Sequence, residues 1–184
     1  MKGFTLIELL VVIFIFSMAI GSISGIFISG ISSQRRVLEE QEILNEISYA
    51  LEYMGRAIRM AKKDDISFGG QIRNCLSQNK ANYETPTQDQ IVFRNYQNQC
   101  QRFYLSGEGR LKEEKRTDGG GSIISNLDLT SPNLKITSLK FKVLGEHQED
   151  YYQPRVTIFM EVERGGRKIQ FQTTVSQRDL DVEY

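Results

Sequence analysis

The chain has 184 residues, 23 basic and 23 acidic side chains, a formal net charge of zero and 40% hydrophobic content. A neutral chain projects no field toward nucleic acid, and no basic patch with interleaved aromatics stands out. With a single histidine, His147, and only two cysteines, Cys75 and Cys100, that lack CxxC spacing, a Ser-His-Asp triad or a cysteine-histidine zinc site has almost no material to draw on.

The first element is the opening run MKGFTLIELLVVIFIF and its continuation. From Leu9 to Ile31 there is neither a charge nor a proline. As a helix this stretch spans roughly 35 Å, enough to cross a ~30 Å hydrocarbon core. A secretory signal peptide with a cut after Ser17-Met18-Ala19 is the competing reading, and would release a secreted or membrane-anchored extracytoplasmic binding domain. It fits less well, because the apolar character continues past Ala19 and an acid, Glu8, sits at its head. Lys2 with the starting amine faces Arg35 and Arg36, so the positive-inside count is nearly tied. Glu8 would be tolerable at a membrane edge near the positive end of the helix dipole, but tolerance gives it no use.

Gly3-Phe4-Thr5-Leu6-Ile7-Glu8-Leu9-Leu10 resembles the processing motif of type IV pilins and type II secretion pseudopilins. The resemblance implies a leader of residues 1–3, cleavage between Gly3 and Phe4 by prepilin peptidase on the cytoplasmic face, and N-methylation of Phe4. It makes Glu8 the fifth mature residue, which helps dock a subunit into a growing filament. The implied partners are that peptidase, other pilin or pseudopilin subunits, an inner-membrane assembly platform and the lipid bilayer. Physical reasoning agrees with this. The new amine lies roughly 6 Å along the axis from the Cα of Glu8, and a staggered neighbour can supply the amine that this carboxylate lacks.

Residues 4–32 are thus read as the transmembrane and assembly half of one helix, and 33–184 as a soluble pilin-like domain. Ser17, Gly21, Gly25, Ser29 and Ser33 recur every four residues, a ladder that permits close helix approach in lipid. Beyond Arg35-Arg36 and Glu39-Glu40, a stripe of Ile43, Ile47, Leu51, Met54 and Ile58, with Leu44 and Ala50 beside it, predicts that the helix continues amphipathically to about Lys62. Asp64-Asp65 and Gly69-Gly70 should end it.

The stripe needs a sheet. Residues 91–96 and 101–105 read as short strands, with Gly107-Glu108-Gly109 as a turn. Ile136–Leu144, Arg155–Glu163 and Lys168–Ser176 alternate apolar and polar residues, and Arg164-Gly165-Gly166-Arg167 reads as a hairpin turn. The expected fold class is α+β, a long N-terminal helix whose outer half packs on an antiparallel sheet. Segment 71–90 and Thr117–Gly121 read as polar loops. In an oxidising compartment Cys75 and Cys100 can bridge, worth roughly 3–4 kcal/mol in the chain-entropy model; two free thiols are the alternative.

His147 and the acidic pairs Asp64-Asp65 and Glu113-Glu114 read as solvated, so no enzyme activity is expected. Some relatives in the resembling family bind calcium, for which Asp118, Asp128, Glu149 and Asp150 could offer oxygens. No run here resembles a calcium loop, so neither metal nor cofactor is expected. The chain is expected to be a structural subunit, a minor one, of a type IV pilus or type II secretion pseudopilus, with a lean to the secretion-system J type, held in the inner membrane by one pass with its C-terminal domain outside the cytoplasm.

Overall fold

A computed structural model of the chain describes residues 3, 5–64, 75–77, 81–117, 121–147 and 152–178. Among them are one long helix, α1 (Leu6–Arg59), and seven strands. The chain divides into two compact units, Met1–Leu44 and Asn45–Tyr184.

In the first unit, α1 begins at Leu6, and Thr5 caps it. The Glu8 N–H donates to the Thr5 carbonyl at 3.1 Å and lies 3.4 Å from Thr5 Oγ1. An N-cap hydroxyl serves one of the four N–H groups that a helix start leaves without a partner. Its large apolar side chains from Leu6 to Ile28 are exposed. The span is long and apolar enough to cross a membrane, with a mean hydropathy of 2.6 in its most apolar window. The Ser22 and Ser24 hydroxyls donate back to the Met18 and Ile20 carbonyls at 3.0 and 2.9 Å, so these polar atoms are satisfied inside the helix. A Cβ at Gly21 or Gly25 would meet open space, so the ladder of small residues stays uncovered within one chain.

The second unit holds the rest of α1 and two antiparallel sheets. The first has the order β1 (Gln90–Arg94), β2 (Cys100–Leu105), β3 (Leu111–Arg116), β4 (Ile123–Asp128). The second has the order β5 (Lys135–Leu144), β6 (Arg155–Arg164), β7 (Arg167–Ser176). The strands expected at the end of the chain form as the alternation requires: Leu139 pairs with Met160, Phe141 with Ile158 and Val143 with Val156. Leu139, Phe141, Val156, Ile158, Met160 and Val162 are buried. The hairpin closes on Gly165 and Gly166 with φ of 58° and 79°, the two positive angles that a tight primed turn demands.

The other sheet departs from expectation. β1 stops at Arg94, because the Asn95 side chain accepts the Gln97 and Gln99 N–H groups at 2.9 Å each and folds residues 95–99 into a turn. β3 and β4, which the sequence reading left unassigned, complete this sheet. The two sheets are tied through Gly109, whose carbonyl accepts the Ile136 N–H at 2.8 Å. A Cβ there would lie 3.1 Å from the Ile136 carbonyl oxygen at a φ of +76°, so only glycine fits this turn.

Of the predicted helix stripe, Ile43, Ile47, Ala50, Met54 and Ile58 are buried, while Leu44 is exposed. Within the second unit, the helix touches both sheets. The Tyr53 ring meets Phe103 of β2 edge-on at 6.2 Å, and a Cβ on Gly55 would come within 3.3 Å of Val175 in β7. Aromatic contacts continue from Phe103 to Phe93 at 5.8 Å and on to Tyr83 at 6.2 Å.

Tyr83 corrects the reading of 71–90 as a solvated connection. Ala81, Asn82 and Tyr83 are buried, and the Tyr83 hydroxyl donates to the Ile58 carbonyl at 2.8 Å. The helix leaves α geometry after Arg59, slightly before Lys62, and Lys62 N–H pairs with the Arg94 carbonyl of β1 at 2.9 Å. Of the residues expected to stop it, Asp65, Gly69 and Gly70 lie outside the described residues.

Removing the Tyr83 hydroxyl takes away one of two hydrogen bonds to the Ile58 carbonyl, which keeps the one from the Ala61 N–H at 3.2 Å, and leaves a gap in the core. Tyr83→Phe should therefore cost about 1–2 kcal/mol, and Phe103→Ala about 3–5 kcal/mol through the cavity it opens. Urea unfolding of the detergent-solubilised chain, followed by tertiary-structure signals, measures both.

Candidate processing and assembly site

The segment that carries the processing motif is built simply. Gly3 is exposed, and a Cβ on it would meet nothing within 4 Å. Phe4 lies outside the described residues. Thr5 seats the helix start and puts Glu8 in the first turn, where an acid complements the positive end of the helix dipole. Glu8 is exposed on a helix that carries no further charge until Arg35. The role of Thr5 was not anticipated, although Thr-x-x-Glu before an apolar run is a recognised helix-start signature.

Elsewhere, the acidic residues behave differently from the solvated turns expected of them. Asp64 is 1% exposed and its Oδ1 lies 2.8 Å from Arg94 Nη2. Glu113 and Glu114 sit in β3, 1% and 5% exposed. The Tyr53 hydroxyl donates to Glu113 at 2.8 Å, the Gln101 amide donates to it as well, and Lys115 Nζ lies 3.3 Å away. Burial raises the Tyr53 pKa, and Glu113 adds to the rise. Burial alone would lower the Lys115 pKa, but its bonds to Tyr53 and Glu113 outweigh that and hold the pKa above its ordinary value. On the other face of the sheet, burial pushes Glu114 up, yet its bond from Arg116 at 2.6 Å and the charge of Arg102 at 3.0 Å carry it below the ordinary value. Each buried carboxylate thus has a cation and hydrogen bonds, which is the condition for burying it at all.

His147 is exposed and forms an isolated bridge with Ala81. Asp128 pairs with Arg110 at 2.9 Å and Lys112 at 3.1 Å. Asp118, Glu149 and Asp150 lie outside the described residues. Among the described residues, no three His, Cys, Asp or Glu side chains come together as a metal site. Cys75 and Cys100 form a disulfide, with Cα atoms 5.2 Å apart. A cleft of about 320 Å³ opens beside Tyr53, between the outer half of α1 and the sheet, rimmed by the exposed rings of Tyr49 and Tyr96.

Residues 1–31 match the family model of the prokaryotic N-terminal methylation motif. The chain carries the N-terminal signature of the type IV pilins and pseudopilins. The match covers Gly3, Phe4, Thr5 and Glu8 and the whole uncharged span of α1. No curated protein and no solved structure matches the chain. The long helix followed by antiparallel sheets is nonetheless the pilin-like α+β arrangement that the motif implies.

One titration tests the electrostatics of the second unit. Glu161 accepts bonds from Gln170 at 2.9 Å and Thr137 at 2.7 Å, with Lys168 at 3.3 Å, and these lower its pKa from 4.5 to about 2. A depressed carboxyl contributes stability that is present above its unfolded value and lost as pH falls through the folded one. Stability should therefore decline between pH 4.5 and about 2. Carboxyl NMR should find the Glu161 midpoint near 2. Gln170→Ala should raise it.

Proposed function

We propose that this chain is a minor structural subunit of a type IV pilus or type II secretion pseudopilus, with no enzymatic activity of its own. The observation that carries this reading is Glu8, a lone acid in the first turn of a helix whose following residues are exposed, apolar and uncharged as far as Ile31, four residues after Phe4. Prepilin peptidase cuts between Gly3 and Phe4 and methylates the new Phe4 amine. A small residue before the scissile bond lets an extended backbone approach the protease closely.

The processed subunit waits in the inner membrane on its single apolar span, with the second unit outside the cytoplasm. An oxidising compartment there accounts for the Cys75–Cys100 disulfide. At the assembly platform, Glu8 pairs with the methylated Phe4 amine of a neighbouring subunit. In a low-dielectric setting each charge compensates the other, and either one alone would be costly. The uncovered small-residue ladder allows neighbouring helices to approach closely. The rim of Tyr49 and Tyr96 suits contact with another subunit, since exposed aromatics are enriched where proteins meet. The polar insertions and the three-stranded C-terminal sheet favour the J type among secretion-system subunits.

Two measurements test this reading. Intact-mass analysis of the mature protein should show the loss of residues 1–3 and the gain of one methyl group; a chain beginning at Ile20 overturns the assignment. Glu8→Leu should still be inserted and cut but should fail to assemble, and Glu8→Asp should be intermediate. The fraction of processed subunit recovered in sheared filaments, or cross-linked to neighbours, reads the outcome. Normal incorporation of Glu8→Leu would leave Glu8 as an edge charge only.

A further inference from the structure

The disulfide is flanked by carboxylates that hold the backbone carrying it. Asp64 Oδ2 accepts the N–H groups of Cys75 and Leu76 at 2.9 and 3.0 Å. Glu84 accepts the N–H and the hydroxyl of Ser77 at 2.8 and 2.6 Å. Residues 75–77 are thus gripped by two carboxylates from different parts of the chain, and Leu76 between them is buried.

Each carboxylate is itself fixed to the strand pair that presents the other cysteine. Asp64 lies 2.8 Å from Arg94, and Arg94 is the register partner of Cys100 across β1 and β2. Glu84 exchanges backbone hydrogen bonds with Val92 of β1 at 3.0 and 2.8 Å. None of these contacts needs the sulfur–sulfur bond.

We propose that Asp64 and Glu84 form a clamp that seats Cys75 against Cys100 while both are still thiols, so that the bridge closes on an already folded domain. With a disulfide donor such as oxidised glutathione, one protein thiolate attacks the donor and releases one glutathione thiolate. The second cysteine then attacks the protein sulfur of the mixed disulfide and releases the other. Two protein thiols are oxidised, one donor disulfide is reduced to two thiols, and the two cysteine protons end, by way of solvent, on the two released glutathione thiolates. The clamp acts on the second attack, by raising the effective concentration of one sulfur at the other. Asp64 and Glu84 are positioning residues for that step.

The test uses the full chain in detergent micelles, reduced and then equilibrated in mixtures of reduced and oxidised glutathione. The fraction bridged gives the effective concentration of the thiol pair, and hydrogen exchange reports the amides of residues 75–77. In the reduced wild-type chain these amides should stay protected. Glu84→Ala should lower the effective concentration about tenfold, as loss of bonds to a charged acceptor implies, and Asp64→Asn should lower it at least as much. Ile158→Val, a core change remote from the clamp, should lower stability and leave the effective concentration unchanged. Should Asp64→Asn fail to fold, Glu84→Ala and the exchange data decide alone. Amides at 75–77 that lose protection on reduction of the wild type while the sheets keep theirs overturn the proposal. So does an effective concentration that Glu84→Ala leaves unaltered.

Discussion

The second unit depends on how the last turn of α1 is closed. A helix ends with carbonyls that have no partner inside the helix, and a buried end must find them elsewhere. Here the partners come from two distant segments. Tyr83 donates its hydroxyl to Ile58, the Gln177 amide donates to Ala61 at 3.0 Å, and the Arg178 N–H donates to Arg59 at 2.9 Å. The loop before β1 and the chain after β7 are thereby fastened to one point. The apolar stripe brings helix and sheets together without direction, whereas these bonds fix where along the helix each segment sits.

The second constraint is the charge inside β3. LKEEKR has no apolar alternation after its leucine, yet it is a strand between two others. Glu113 faces Tyr53 and Gln101, and Glu114 sits between Arg102 and Arg116. Each provides specificity of register more than net stability, because desolvating the carboxylate consumes most of what its partners return. A one-residue slip would turn each carboxylate to the opposite face, parting Glu113 from Tyr53 and Gln101 and Glu114 from Arg102, while each keeps the cation two residues on in its own strand.

This explains what the sequence made legible and what it did not. The apolar span announces itself by its length without a charge, and the stripe from Ile43 to Ile58 and the three C-terminal strands through period, with a regular face turned inward in each of these. β3 was hidden because its inward residues are polar and are satisfied only by side chains that the fold delivers. Asp64 was misread for the same reason: beside Asp65 it looks like a turn, and its value lies in Arg94 and the amides of Cys75 and Leu76. Tyr83 stood alone in a polar segment, with no periodicity to mark it as core. At the N-terminus, Gly3 and Glu8 were evident from the motif, while Thr5 was overlooked because its work is local capping.

Among the described residues, the edge strands β4 and β7 are unlike. β7 lines its outer strand with exposed Lys168, Gln170, Gln172 and Thr174, the polar trim that discourages stray pairing. β4 carries Ile123, Ile124 and Leu127, each more than half exposed, on a strand with one neighbour. Concentrated copies of this chain have an obvious way to go wrong there, edge against edge. Storage, crystallisation and overexpression all press on that single strand, and a lysine in place of Ile124 is the natural remedy for anyone who needs the protein to remain in solution.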